Sequence, residues 1–344
     1  MSAPPAECGA ACDGATPCSS GFYCTTDGFC TADCSDDVAC PNGYECSAEG
    51  RCALDCPSVM FTPTRVTPHV ELLIDQSGSM NANFNGKTRW AAVRDALVAT
   101  GGVVEQLESS VVFGATLYTS FDGTAPCPAL TSHARAAGNL AGIRTLLDGN
   151  TWADETPTGE SLAAVAANFP APADGSPRVI DVATDGEPDT CAVPNPNPTA
   201  AAQQASINAA AAAYAAGIQV FILSVGNQVS DAHLQEVANA GVGRPVTTGT
   251  APFYKANNQS ELTAAFDAII GGVVSCELTL DGQITPDAGP RGDVRLGGVQ
   301  LIYPTDWEIV DANTIRLLGS ACTALQTQPN AQLSAEFPCG SVIF

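Results

Sequence analysis

Apolar strands alternate with helices over residues 66–272, and this alternation constrains the fold more than any other feature of the sequence. Segments 66–74, 110–118, 178–183 and 218–225 are apolar enough to be buried strands. Strands that are apolar throughout and separated by helices are typical of a parallel sheet covered on both faces. The sequence therefore predicts a doubly wound, mostly parallel α/β domain over residues 68–274. Its helices are predicted at 87–107, 141–147, 160–169, 199–216, 231–240 and 259–270.

Three polar segments meet the predicted carboxyl edge of this sheet, where ligand sites of such sheets lie. Asp75-Gln-Ser-Gly-Ser79 follows the first strand, Thr156-Pro-Thr-Gly-Glu160 precedes a helix, and Thr184-Asp-Gly-Glu-Pro188 follows the strand at 178–183. Asp75, Ser77 and Ser79 alternate along one turn, so their side chains can point into one hollow. The same residues also fit a plain structural role, because Asp, Ser and Thr are the preferred caps of helix N-termini.

In this order, DxSxS, TxTG and TDG closely resemble the von Willebrand factor A (VWA) domain and its metal-ion-dependent adhesion site, over about residues 66–272. The resemblance implies a Rossmann-like fold and a bound cation, Mg²⁺ or else Mn²⁺ or Ca²⁺. It implies that Ser77 and Ser79 bind the cation directly and Asp75 through water. Thr156 matches the ligating threonine better than Thr158, which would brace the loop, and Asp185 completes the site.

The donor types explain the adhesion mechanism that the resemblance implies. Magnesium prefers about six oxygen ligands and keeps some of its water. Three neutral hydroxyls and few direct charges would leave the cation electrophilic, able to accept a carboxylate from a protein partner. Five residues near this edge are expected to ring the site and to contact basic groups of the partner, although solvated loop charge explains the acids equally well. They are Trp152, Asp154, Glu155, Glu187 and Asp189.

Fifteen cysteines are present, and ten of them lie between Cys8 and Cys56. Their spacing repeats every 22 residues and contains no Cys-x2-Cys pair, which disfavours zinc and favours disulfides. Residues 1–57 are therefore expected to form a disulfide-rich module that resembles EGF-like or Dickkopf-like repeats and serves as a stalk or as a partner-binding module. Residues 58–67 are predicted to be a linker. Cys127 and Cys191 are expected to form a disulfide that braces the binding loops.

Disulfides indicate an oxidising compartment, although the first residues have neither a basic nor an apolar signal region. We expect a processed form of a secreted or cell-surface protein, attached to the outer membrane if a lipid anchor has been lost. The sequence contains no run of 18 apolar residues, so no membrane span is predicted.

Residues 275–344 are predicted to form a small β-rich domain, with strands at 277–280, 294–303, 314–318 and 331–337. Similar tails follow A domains in secreted proteins of myxobacteria. Of Cys276, Cys322 and Cys339, the pair Cys276–Cys339 is favoured, which leaves one cysteine over. The tripeptide Arg291-Gly-Asp293 is interpreted as a chance occurrence of an integrin-ligand motif.

The net charge of −23 argues against nucleic acid and anionic membranes as partners. An enzyme is not expected, because none of the three histidines flanks a nucleophile motif and no phosphate-binding loop is present. The predicted function is metal-dependent adhesion or ligand binding outside the cell. The alternative is a structural subunit of a surface filament, with the VWA domain as scaffold.

Overall fold

The computed structural model divides the chain into two compact units. One consists of residues 65–278 and 317–331, and the other of 1–64, 279–316 and 332–344. Within them the structure describes residues 11–13, 16–18, 22–26, 28–32, 44–46, 51–54, 58–65, 67–121, 124–194, 199–327, 332–338 and 341–343. Among these residues, no helix has the length and apolar character needed to cross a membrane.

A six-stranded sheet forms the centre of the first unit, with the strand order β3-β2-β1-β4-β5-β6. All neighbouring pairs are parallel except β2 and β3, which are antiparallel. The prediction of a doubly wound, mostly parallel sheet is confirmed. The strands are β1 (His69–Asp75), β2 (Val112–Phe121), β3 (Thr124–Ala136), β4 (Arg178–Thr184), β5 (Ile218–Val225) and β6 (Tyr254–Ala256).

Helices cover both faces of the sheet, because successive strand residues point to opposite sides. Leu72 and Ile74 belong to a core cluster that includes Phe266, whereas Leu73 belongs to the opposite cluster with Ile180. The helices are α1 (Arg89–Val98), α2 (Val103–Leu107), α3 (Leu140–Asp148), α4 (Thr158–Ala167), α5 (Ala200–Ala215), α6 (Asp231–Gly241) and α7 (Gln259–Val273).

Two predictions about this unit are wrong. The single helix expected over 87–107 is broken between α1 and α2, where Gly101 takes a φ of 76°, a left-handed conformation that a glycine tolerates. Strand β3 was not predicted at all. Its sequence contains Pro126 and Pro128, which disfavour a central strand, and Leu130 is its only large apolar residue.

The second unit contains a four-stranded antiparallel sheet in the order Val299–Leu301, Asp293–Leu296, Leu333–Phe337, Val59–Phe61. The prediction of a linker over 58–67 is therefore wrong for Val59–Phe61, where Phe61 packs edge-on against Phe337. The single strand expected over 294–303 is a hairpin that turns at Gly297 and Gly298, both with positive φ. The other strands in the C-terminal part of the chain are Glu277–Thr279, Gln283–Ile284, Trp307–Asp311, Thr314–Leu317 and Val342–Ile343.

Four disulfides lie among the described residues. Cys12–Cys24 and Cys18–Cys30 confirm a disulfide-bonded N-terminal segment and leave their sulfurs unavailable for zinc. The pairing of Cys276 with Cys339 is wrong, because Cys276 is bonded to Cys322. Cys322 lies on a helix that was not predicted, α8 (Gly319–Thr327), and the preceding Leu317 N–H bonds to the Cys276 carbonyl at 2.9 Å. Cys339 lies outside the described residues.

The charged residues of the Arg291-Gly-Asp293 tripeptide pair with neighbouring residues of the chain. Arg291 is paired with Asp287, and Asp293 is paired with Arg295. A Cβ at Gly292 would lie 2.4 Å from the Phe337 ring, so the glycine packs closely against this aromatic side chain.

Candidate metal centre

Strands β1 and β4 are neighbours, and their carboxyl ends bring Asp75 and Asp185 together. Asp75 is the last residue of β1, and Thr184 is the last residue of β4. The Thr184 hydroxyl donates to Asp75 Oδ2 at 2.8 Å, and the Asp185 N–H donates to the same oxygen at 3.4 Å. Two carboxylates that are 110 residues apart in the chain therefore share one point of the sheet edge.

A chain of oxygen atoms runs from the turn after β1 to Asp185. The Ser77 N–H donates to Asp75 Oδ1 at 2.7 Å, which fixes the turn. The hydroxyls of Ser77 and Ser79 are 2.9 Å apart, and the Ser79 hydroxyl donates to Asp185 Oδ1 at 2.5 Å. Asp75, Ser77 and Asp185 are buried, whereas Ser79 is exposed. The cluster therefore opens to solvent beside Ser79.

The two carboxylates carry unfavourable charge in a buried place. Burial and then the nearby charge of Asp185 raise the pKa of Asp75 to about 7, against the hydrogen bonds from Ser77 and Thr184. Burial also raises the pKa of Asp185, opposed by hydrogen bonds from Ser79 and Arg89. A cation at this point would relieve both the desolvation and the repulsion.

Hydrogen bonds from three sides position the loop that contains Thr156. The Gly78 N–H donates to the Asp154 carbonyl at 3.0 Å, which joins this loop to the turn after β1. The Thr156 N–H donates to Asp189 Oδ2 at 2.7 Å. Thr158 is the first residue of α4, and its hydroxyl lies 3.1 Å from the Tyr118 hydroxyl. This hydrogen bond helps to position the loop.

These donors fit a hard divalent cation. Every functional atom of Asp75, Ser77, Ser79, Thr156 and Asp185 is an oxygen, the type that Mg²⁺ and Ca²⁺ prefer. The buried pair Asp75 and Asp185 supplies negative charge that a divalent ion would balance. Three of the five residues offer neutral hydroxyls, so the negative charge among the candidate ligands comes from Asp75 and Asp185 alone.

Comparison with protein-family models matches residues 69–267 to the von Willebrand factor type A domain, which is more than half of the chain. The chain belongs to this VWA family. The match includes all five candidate ligands. No curated protein matches the chain significantly.

Several solved structures resemble this structure at low sequence identity. An aerotolerance-related membrane protein of Bacteroides fragilis is 18% identical over 58% of this chain and 96% of that chain, with a TM-score of 0.40. The pilus adhesin SpaC of Lactobacillus rhamnosus GG is 16% identical over 83% of this chain and 42% of that chain, with a TM-score of 0.48. Manganese-loaded TRAP protein of Plasmodium vivax is 13% identical over 60% of this chain and 76% of that chain, with a TM-score of 0.40.

The ring of exposed residues predicted around the VWA site is only partly present. Trp152 and Asp154 are exposed, as expected of rim residues. Glu155 and Asp189 are buried, so the prediction is wrong for these two. Glu187 is half-buried and accepts hydrogen bonds from Gln203 and from the Ser230 N–H, which hold its pKa below the usual value against the effect of burial. The carboxylates of Glu187 and Asp189 thus accept hydrogen bonds from neighbouring segments instead of forming a solvent-facing ring.

The Cys127–Cys191 disulfide of the VWA domain is confirmed, with an S–S distance of 2.03 Å. Cys127 lies within β3 instead of in a loop. Cys191 follows Asp189 by two residues, and its N–H donates to the Glu160 side chain on α4 at 3.0 Å. The disulfide thus attaches the segment after β4 to the edge strand of the sheet.

Sequence reasoning missed Arg89, the first residue of α1. Its guanidinium is buried and lies 2.7 Å from Asp185 Oδ2. Arg89 follows Ser79 by ten residues and lies in a segment that was considered only as helix. The helix predicted over 87–107 contains three basic residues, Lys87, Arg89 and Arg94, and nothing in the sequence distinguished Arg89 from the other two.

Proposed function

We propose that this protein is an exported adhesion or ligand-binding protein, and that its VWA domain binds a partner's carboxylate through a divalent cation. Asp75, Ser77, Ser79, Thr156 and Asp185 would hold the cation, which we expect to be Mg²⁺, with Mn²⁺ or Ca²⁺ as alternatives. When bound, the cation would supply an electrophilic position for an acidic side chain of a protein partner.

The observation that carries this proposal is the hydrogen-bonded cluster in which Ser77 and Ser79 connect the buried carboxylates of Asp75 and Asp185. Buried carboxylates without a cation are costly, and here two of them face one another. A capping role would use one hydroxyl for one helix N-terminus. The Ser77 and Ser79 hydroxyls instead contact each other and Asp185, and the short helical turn after Ser77 has no side-chain cap.

Exposed Trp152 and Asp154 would form the part of the rim that a partner contacts. With Glu155 and Asp189 buried, little exposed acidic charge surrounds the opening. We therefore expect recognition to depend on the cation and on the face of Trp152 more than on a ring of acids. Basic groups of a partner would have Asp154 as their main counterpart.

Calorimetric titration with Mg²⁺ and Mn²⁺ tests the proposal. The wild type should bind one ion per chain, and Asp75→Ala combined with Ser77→Ala should abolish the binding without unfolding the protein. Asp148→Ala, which removes an exposed carboxylate of α3, is the matched control and should bind as the wild type does. The absence of binding by the wild type would instead support the alternative, a filament subunit in which the VWA domain is only a scaffold.

Export is supported by the four disulfides of the described residues. If the protein is exported, we expect about one free thiol in the denatured, unreduced protein, because the chain has an odd number of cysteines, fifteen. Eight or more thiols would contradict the assignment to an oxidising compartment. A non-enzymatic role is proposed because none of the three histidines flanks a nucleophile motif in the sequence.

A further inference from the structure

Arg89 is a buried positive charge directly beside the candidate metal centre. Its side chain is 8% exposed and Asp185 is 0% exposed, so solvent screens their 2.7 Å ion pair very little. Among the described residues, it is the basic side chain that contacts a candidate ligand. A cation that binds here therefore meets a fixed positive charge already within the site.

The contacts of Asp185 divide its carboxylate between two roles. Oδ1 accepts from the Ser79 hydroxyl and faces the oxygen cluster. Oδ2 accepts from Arg89 Nη1, which also donates to Gln228 Oε1 at 2.7 Å. One of the two Asp185 carboxylate oxygens, Oδ2, is thus already bonded to the guanidinium in the absence of a metal ion.

The position of the guanidinium is fixed by close packing and not by a full set of hydrogen bonds. Arg89 Nε has no hydrogen-bond partner among the described residues, although it is buried. Gly226, with a φ of 103°, lies against the guanidinium, where a Cβ would come within 3.0 Å of Nη2. The contacts with Asp185, Gln228 and Gly226 together hold the guanidinium beside the candidate metal centre.

We propose that Arg89 sets the charge of the metal centre: it neutralises one of the two carboxylates, so that the site holds its cation less tightly and leaves it more attractive to a partner's carboxylate. Asp75 and Asp185 together carry two negative charges, which would cancel a divalent ion. With Arg89 counted, the fixed charge is one negative unit, and the loaded site stays positive. This inference rests on the proposed function, because it concerns the same cation.

A purely structural role for Arg89 makes a different prediction. If the ion pair served only to position Asp185, then its loss would weaken both cation binding and carboxylate binding. If Arg89 acts through its charge, its loss shifts the two affinities in opposite directions. The sign of the two changes therefore separates the roles.

The experiment compares Arg89→Gln with the wild type, using Mn²⁺ alone and then acetate as a carboxylate probe. Glutamine keeps a donor for Asp185 and removes the charge. Mn²⁺ affinity from calorimetry should rise about ten-fold, and the affinity of the Mn²⁺-loaded protein for acetate, from water-proton relaxation, should fall about five-fold. Arg89→Lys, which keeps the charge, should move both values much less. Arg94→Gln removes a half-buried charge of the same helix, one that pairs with Asp148 and Asp95, and should change neither.

A fall or no change in Mn²⁺ affinity of Arg89→Gln, with binding by the wild type intact, would overturn this inference and leave the proposed function standing. Loss of binding in both proteins would refute the proposed function and this inference with it. If Arg89→Gln does not fold, Gln228→Lys supplies the converse test, since it adds positive charge at an exposed position beside Arg89. Its Mn²⁺ affinity should fall several-fold, and an unchanged or higher affinity would equally overturn the inference.

Discussion

Asp189 and Thr156 are 33 residues apart in the chain and are joined by two hydrogen bonds. The Thr156 N–H donates to Asp189 Oδ2 at 2.7 Å, and the Asp189 N–H donates to the Thr156 carbonyl at 3.0 Å. Asp189 is fully buried. The residue predicted to lie on the rim therefore fixes the backbone of a candidate ligand, which assigns it a positioning role.

Removal of the Asp189 carboxylate should loosen the Thr156 loop. Asp189→Ala is expected to lower the free energy of unfolding by about 1–3 kcal/mol, the usual range when a buried charged hydrogen bond is lost. Mn²⁺ affinity should fall at least several-fold, while Asp189→Asn, which keeps an acceptor oxygen, should lose less of both. Urea unfolding and calorimetry measure the two effects. Wild-type Mn²⁺ affinity in a folded Asp189→Ala protein would contradict the positioning role.

Asp181 predicts a pH dependence of stability that is separate from the metal centre. It is fully buried on β4, and neither carboxylate oxygen has a hydrogen-bond partner among the described residues. Burial raises its pKa from 3.8 to about 8. The nearby Tyr254 has a raised pKa because of burial and then the charge of Asp181. The folded protein therefore holds a proton on Asp181 that the unfolded chain releases.

Because the folded state binds this proton more tightly, stability should fall as the pH rises from about 4 to 8 and then level off. Asp181→Asn removes the titrating group while keeping its size. Its stability relative to the wild type should increase with pH, by up to about 1.4 kcal/mol per unit within this window. Urea unfolding at pH 5, 6, 7 and 8 in the presence of a chelator gives the difference. A difference that is constant with pH would show that Asp181 ionises normally in the folded protein.

The sheet and the grouping of Asp75 and Asp185 could be predicted because both follow from local pattern. Buried parallel strands are continuous apolar runs, and residues that follow them must meet at one edge. The β5 strand, Ile218–Val225, has the bounds that the sequence predicts. Strand β3 could not be predicted, since an edge strand needs neither apolar alternation nor freedom from proline.

Two features could not be predicted from local sequence pattern: the burial of carboxylates in loops and the pairing of residues distant in the sequence. The residues that flank Glu187 and Asp189 in the sequence are like those around solvent-exposed acidic residues of loops. Only their tertiary contacts distinguish these two carboxylates. The Cys276–Cys322 pairing depends on α8, whose polar, short sequence gave no helical signal. Arg89 reaches Asp185 across 96 residues, a contact for which the sequence offers no periodicity.

Gly78 predicts a steric limit on the turn after β1. A Cβ at this position would lie 2.9 Å from the Ala153 carbonyl oxygen, a backbone atom that cannot move alone. Gly78→Ala should push the Thr156 loop away from the Ser77 turn, lower the melting temperature and weaken Mn²⁺ binding several-fold. Gly271→Ala on α7 is the matched control, because a Cβ there would have no neighbouring atom within 4 Å. Equal effects of the two substitutions would contradict the close approach of the loops.

The Cys127–Cys191 disulfide should stabilise the domain and keep the Asp189 segment in place. It closes a sequence separation of 64 residues, for which the chain-entropy model gives about 4 kcal/mol and measured cases commonly give about 2–4 kcal/mol. Cys127→Ser combined with Cys191→Ser should lower the unfolding free energy by such an amount. Mn²⁺ affinity should also fall, because Asp189 lies two residues before Cys191 and holds Thr156. Cys276→Ser combined with Cys322→Ser should affect stability without changing Mn²⁺ affinity, since neither residue contacts the loops of the metal centre. If both double variants bound Mn²⁺ equally well, the Cys127–Cys191 bond would stabilise the fold without bracing the site.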